Sequence, residues 1–454
     1  MNSSLTQQMA RFVTTPRLLP EAALAAATNA MIDTIGCALA GIDEPVSVLA
    51  RAWADHQGGK PLATIWGSAQ RTSATEAALA NGIAAHVHDY DDGHVSLRAH
   101  PSTTLVPAVL AYGESVGSSG AAVLSAYTLG LEVAAKLTKA IGPSHYLNGW
   151  HNTVTIGVLS CTTAVGHLCA LNEEQMRMAW GLAASQSAGL RRNFGTMTKS
   201  FHAGHAARVG IESAWLAAHG MTADADIWEG EHGFLDIYGG PGGESLEDLI
   251  GQMGQPWEVI TPGNYNKRWP CCGQIHRALV GVGDLIERNA IRSEEIETIR
   301  IGFAPNSDVA LTHDNPQTGL EGKFSIQYSV AAYVLDGELT MVSYLDEKVH
   351  RPMVRALMGR VERYTTDDPK KDYTGLGAYT DVTIVTTRGS FARRVEASDD
   401  RPARIVTDDE HDEKFRACVV PVFGRERTES LLQVARRCAT LADVRELTRA
   451  TASR

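Results

Sequence analysis

The chain has no Cys-x-x-Cys pair, no excess of basic charge, and no apolar run approaching the roughly 18 residues that span a bilayer. Each absence removes a class of protein. The seven cysteines (Cys37, Cys161, Cys169, Cys271, Cys272, Cys418 and Cys438) are odd in number, and most sit in apolar stretches. That pattern disfavours a disulfide framework or a zinc ribbon and fits buried free thiols in a reducing compartment. The formal net charge of −11 has the wrong sign for phosphate-backbone binding, so no nucleic-acid partner is expected. The same charge repels anionic ligands at long range, so a site for a polycarboxylate must gather positive charge locally. The segment MNSSLTQQMARFVTTPRLLP lacks a basic stretch followed by an apolar one, as a signal peptide requires. A cytoplasmic protein with no membrane partner is the expectation. There is no GxGxxG after a strand, no P-loop, no GxSxG elbow and no HExxH, which leaves nucleotide cofactors and triad hydrolysis without support. Neither an internal repeat nor a low-complexity tract is visible.

What is present is an ordinary soluble composition, 44% hydrophobic and 20% charged, in 454 residues. That length calls for two or three domains. The first half is rich in alanine and helical periodicity. Helices are predicted near 20–41, 73–86, 103–115, 119–140, 153–170, 174–188 and 203–219, with Ser73 and Ser118 as N-caps and Gly41 and Gly220 as stops. The pattern changes near residue 260, where TPGNYNKRWPCCGQ reads as a boundary loop. Beyond it come a helix at 274–289, a strand at 296–305, helical stretches at 324–336 and 349–362, and a hairpin over 380–398 turning near Arg388–Gly389. Residues 399–414 read as a charged connector, and 427–450 as a helical tail. The expected fold class is mainly α. A large all-helical domain over 1–262, to which 399–454 returns, carries a smaller α+β lid domain over 263–398.

Nine of the sixteen histidines lie between residues 86 and 205. Histidine titrates near neutrality and is the usual proton carrier in catalysis. Four segments concentrate the chemistry. In HVHDYDDGHVSLRAHPS (86–102), a metal site of Asp89, Asp91 and His94 competes with a proton-transfer site of Asp89 and His100, Arg98 holding a carboxylate. A plain polar helix junction is the third reading. In YLNGWHNTVTIG (146–157), His151 sits at the positive end of an apolar helix, where it binds an anion or is simply structural. In NFGTMTKSFHAGHAAR (193–208), Lys199 closes a Gly/Thr/Ser loop, as a base, a carboxylate anchor or an exposed lysine. His202 and His205 share one helical face there, three residues apart. In YNKRWPCCGQIH (265–276), Lys267 and Arg268 flank a Pro-fixed turn, and a Cys272–His276 nucleophilic pair is conceivable but lacks any thiol-enzyme signature.

Taken together, AAHVHDYDDGHVSLRAHPSTTLVPAVLA, GWHNTVTIGV, GTMTKSFHAGHAARVG, KRWPCCGQIH and GKFSIQYSVA, in that order over residues 84–331, resemble the MmgE/PrpD family. That family includes 2-methylcitrate dehydratases, cis-aconitate decarboxylases and iminodisuccinate epimerases. The resemblance implies a homodimer acting on a small di- or tricarboxylate, with a site between the two domains and neither metal nor cofactor. Carried over by position, it implies site roles for Asp89, His100, His151, Lys199 and Lys267. Gly93 and Cys272 stand where the decarboxylases of the family have threonine and histidine, and Tyr146 resembles the epimerase branch. The implied chemistry is removal of a proton from carbon next to a carboxylate, by a lyase or an epimerase. Lys199 or His151 would be the base, with Asp89 and His100 making the second transfer. Arg98, Lys199, Lys267 and Arg268 would hold carboxylates, Cys272 would line the pocket, and Lys199 with Tyr146 would pair in an epimerase. A metal-dependent hydrolase using Asp89, Asp91, His94 and His205, or a non-catalytic dicarboxylate-binding protein, stands as the alternative.

Overall fold

The computed structural model describes residues 3–368, 378–396, 399 and 407–453. It is mainly helical, with one four-stranded sheet and two short two-stranded pairs among the described residues. One hydrophobic core runs from Met9 through Val259 and takes in Phe415 to Leu447, so both ends of the chain close on it. A second core is built from Phe194 and from residues between Trp269 and Ile384.

The first core is held by helices that approach closely because their facing residues are small. Ala74–His86 and Met197–Ala218 pack against each other at Gly82 and Gly204, where a Cβ on Gly82 would lie 2.7 Å from the Gly204 Cα. Ser73 caps the first of these helices by accepting from the Glu76 N–H. Ser119, one residue after the expected cap, does the same for Gly120–Ile141. Gly41 follows Glu21–Ala40, and Gly220 follows the His219 cap of Met197–Ala218 with φ +92°. Two helices, Glu21–Ala40 and Gly120–Ile141, are long and apolar enough to cross a membrane, which corrects the expectation from apolar runs. Most of each apolar window (72% and 83%) is packed inside the protein, where alanine-rich core helices belong.

The four-stranded sheet has the spatial order Val361–Thr365, Ile296–Phe303, Thr380–Thr386, Gly389–Val395; the first pair is parallel and the rest antiparallel. Strand Thr380–Thr386 alternates buried and half-buried residues. The helix Gly273–Asn289 packs on its buried face, with Gly281 against Val382 and Val395. Two expectations fail in instructive ways. The stretch 349–362 is not one helix: Pro352–Met358 is helical, and Val361 already belongs to a strand. The charged stretch around residue 410 is not a connector throughout. Asp408–Phe423 is a helix opened by a Thr407/Glu410 capping box, with Asp408 and Asp409 at its positive end. Its Lys414 is buried, 2.7 Å from Asp33 on Glu21–Ala40. The expected hairpin lies as predicted through Val395; residues 397–398 and 400–406 fall outside the described residues.

Candidate active site

The helix Ala74–His86 ends where the chain must turn, and the turn places Asp89 at φ +51°, a left-handed conformation uncommon for a residue other than glycine. Two lysines hold this turn from the second core. Lys267 Nζ donates to the Asp89 carbonyl at 2.8 Å and makes an ion-pair contact with Oδ2 at 3.0 Å. Lys323 Nζ donates to the His88 carbonyl at 2.8 Å and to the Pro270 carbonyl at 3.0 Å. Strain at a turn persists when its surroundings over-determine it. Here the surroundings are buried ammonium groups.

Lys199 lies in the first turn of Met197–Ala218, inside the helix rather than in the loop before it. Its Nζ is 2.5 Å from Asp89 Oδ1 and 2.7 Å from His86 Nε2. His86 Nδ1 is 3.0 Å from both oxygens of Asp91. A carboxylate only accepts, so Nδ1 carries the proton and Nε2 accepts from Lys199. Burial pushes the His86 imidazole down to about 3, so it is neutral in this relay. Burial also lowers the Lys199 ammonium, against the opposing pull of Asp89. Asp89 and Asp91 stay well below the usual carboxylate range despite burial, held by the two lysines in one case and by His86 and His100 in the other.

His100 donates from Nδ1 to the Asp92 carbonyl at 2.8 Å and meets Asp91 Oδ2 at 3.1 Å. Its Nε2 faces Asp89 Oδ1 at 3.8 Å. His151 stacks 6.2 Å from His86, and its Nδ1 is 2.9 Å from Nδ1 of His202. Burial and the neighbouring cations hold His151 well below its ordinary value. A narrow cleft opens onto His86, Asp89, Lys199, Thr196, Lys323 and Phe324. Three lysines and two ionised carboxylates therefore meet here, and the local excess is positive within an acidic chain.

The structure thus brings together Asp89, His100, His151, Lys199 and Lys267. Cys272 caps Gly273–Asn289 beside them, its thiol pushed up to about 11 by burial, which is the reverse of an activated nucleophile. Tyr146 is half-buried with the Arg191 guanidinium 4.4 Å over its ring, and burial raises its phenol, with Cys272 and Tyr265 among its neighbours. Arg268 stands apart, exposed and stacked 4.6 Å from Trp269. Arg98 is half-buried at φ +49°. His94 turns away to the Glu258 carbonyl at 3.1 Å, and His205 stacks on Phe201, so neither joins a ligand set with Asp89. One ligand atom each from His86, Asp89, Asp91 and His100 do lie within 4.8 Å of one another. The lysines at 2.5 and 3.0 Å from Asp89 already supply the positive charge that a cation would bring, and the donor set fits a proton relay better than a metal cage.

Sequence reasoning assigns no role to His86 or Lys323, gives Asp91 only a metal ligand's role, and places His202 only as the helical-face neighbour of His205. His86 and Asp91 flank Asp89 in the sequence, and their density was the available signal. Nothing local marks Lys323, because its burial is a property of the assembled chain.

The N-terminal domain of the MmgE/PrpD family matches residues 7–246, and its C-terminal domain matches residues 269–439. Human cis-aconitate decarboxylase is 26% identical over 439 residues, covering 92% of this chain and 88% of the relative. The cis-aconitate decarboxylase of Aspergillus terreus is 26% identical over 385 residues, covering 79% and 78%. A cis-aconitate decarboxylase-like protein of Aspergillus oryzae is 24% identical over 469 residues, covering 98% and 96%. With both family domains matched in order over most of its length and the buried lysine–carboxylate–histidine cluster lying where they meet, the chain belongs to the MmgE/PrpD family.

Proposed function

We propose that this chain is a lyase that moves a proton at carbon next to a carboxylate of a small tricarboxylate such as cis-aconitate, without a metal or organic cofactor. The observation that carries the reading is Lys199, pressed between Asp89 and neutral His86 at the floor of a cleft with excess positive charge. A developing carbanion needs charge in place before it forms, and fixed ammonium groups in a dry site supply it. Lys199 exchanges the proton with substrate carbon. Asp91 and His86 hold its Nζ in place through the relay. His100, whose Nε2 faces Asp89, makes the second transfer. Lys267 keeps Asp89 ionised and in register. The chain divides at residue 262 into a helical domain, with 399–454 returning to it, and a lid domain over 263–398. It works as a cytoplasmic homodimer; light scattering at twice the chain mass tests the oligomeric state.

One observation favours a second reading, an epimerase acting on a dicarboxylate such as iminodisuccinate. A Cβ at Gly93 would overlap the ring and hydroxyl of Tyr265, its partner in the pairing of Gly93–His94 with Asn264–Tyr265. Tyr265 thus occupies the space a larger residue at 93 would need, and it is one of the groups that act on the Tyr146 phenol. Proton NMR in heavy water separates the readings, with cis-aconitate, 2-methylcitrate, citrate and iminodisuccinate as the panel. New vinyl signals from cis-aconitate mean decarboxylation, and from the citrates dehydration. Loss of a C–H signal without a new product means epimerisation. No change with any compound rejects both.

A further inference from the structure

Lys199 and Lys267 share the Asp89 carboxylate, but among the described residues no carboxylate pairs with Lys323. Its side chain is buried (3% exposed), lines the cleft, and lies 4.5 Å from the Tyr344 ring. An ammonium has three N–H donors, and two of these go to the His88 and Pro270 carbonyls. Carbonyl oxygens offer partial charges, not a counter-ion, and a buried charge without one is costly. The carbonyl of His88 is the one that enters the Asp89 turn, so the spare donor sits beside the reacting groups.

We propose that Lys323 anchors one carboxylate of the substrate, its counter-ion arriving with the ligand. This rests on the polycarboxylate reading above. The electrostatics agree with the geometry. Burial brings the Lys323 ammonium down to about 8, with Asp89, Cys271 and Glu44 opposing and Lys267 adding to the fall. The other groups facing it are Tyr344 and the His88 imidazole, the latter held near 3 by burial and by Lys323 itself. An anion settling on Lys323 therefore draws a proton onto it near pH 8.

The test is titration calorimetry of the full chain with propane-1,2,3-tricarboxylate, a tricarboxylate without a double bond, in two buffers of different ionisation heat. The wild-type protein is expected to take up a proton on binding near pH 8 and progressively less at lower pH. Lys323→Arg, which keeps the charge but cannot deprotonate, should bind and take up none. Lys323→Met should bind about tenfold or more weakly, since one charge-assisted contact is lost. Its KM for the turned-over substrate should rise more than its kcat falls. Wild-type binding with Lys323→Met unaffected, or uptake persisting in Lys323→Arg, overturns the anchor and leaves the substrate class standing. Failure of the wild-type protein to bind the tricarboxylate overturns both.

Discussion

At the scale of single residues, Lys199 is the group on which turnover should depend most. Lys199→Ala removes the proton carrier and leaves Asp89 to Lys267 alone. Its kcat should fall by roughly 10²–10⁴-fold, the usual range for a lost general acid or base, as measured by steady-state kinetics on the substrate the NMR panel identifies. Lys267→Met should instead show in stability. It leaves buried Asp89 to Lys199 alone and frees the Asp89 carbonyl, at a cost of about 1–3 kcal/mol by urea unfolding. Asp92 offers a test by pH. Its carboxyl is pushed up to about 7, chiefly by burial, and its Oδ1 is buried without a partner, while Ser102 (2.5 Å) and Asn264 (2.6 Å) donate to Oδ2. The folded state therefore holds this proton more tightly than the unfolded chain does. The stability it contributes is present at low pH and is lost as pH rises from the ordinary value of 3.8 through about 7. Asp92→Asn cannot titrate, so the wild-type stability relative to this variant should decline over that window, by at most about 1.4 kcal/mol per pH unit, and level off above it. A flat difference between pH 5 and 8 would remove Asp92 as the titrating group. The sequence singled out Asp89, His100, His151, Lys199 and Lys267 by their types and motif order, and the fold brings them together. Lys323 was not, since a buried and an exposed lysine are spelled alike.

At the scale of elements, the distance between Lys199 and His86 is set by two glycines. Gly82 and Gly204 let their helices close up, and Lys199 lies five residues before one as His86 lies four after the other. Gly204→Ala would overlap the Leu79 carbonyl, push the helices apart and lengthen the Lys199–His86 contact. It should lower kcat and the unfolding temperature together, whereas Gly220→Ala, where nothing lies within 4 Å, should leave kcat unchanged. Alternation made Thr380–Thr386 legible as a strand, and alanine-rich periodicity made the core helices legible. The Asp408–Phe423 helix was hidden by its opening acidic residues, which suit a helix N-terminus as well as they suit a loop. The end of 349–362 was hidden because a strand docked at the side of a sheet needs no periodicity of its own.

At the scale of the whole molecule, an acidic chain concentrates three lysines at one point, as its overall charge requires of a polycarboxylate site. A ligand that completes this charge binds only the folded chain, so a tricarboxylate at about 100 times its Kd should add roughly 2.7 kcal/mol of stability, visible as a rise in unfolding temperature. An equal concentration of a neutral triamide should not. The closure of one core by both chain ends is the part that the sequence showed only faintly, as a return of helical periodicity after residue 427.

The lysines that fix the Asp89 turn are translated some 180 and 235 residues after the carbonyls they grip. During synthesis, therefore, the turn emerges early with its anchoring cations still unmade, and a chain that stops between residues 267 and 323 has most of its histidines but only one of the two lysines that grip the turn.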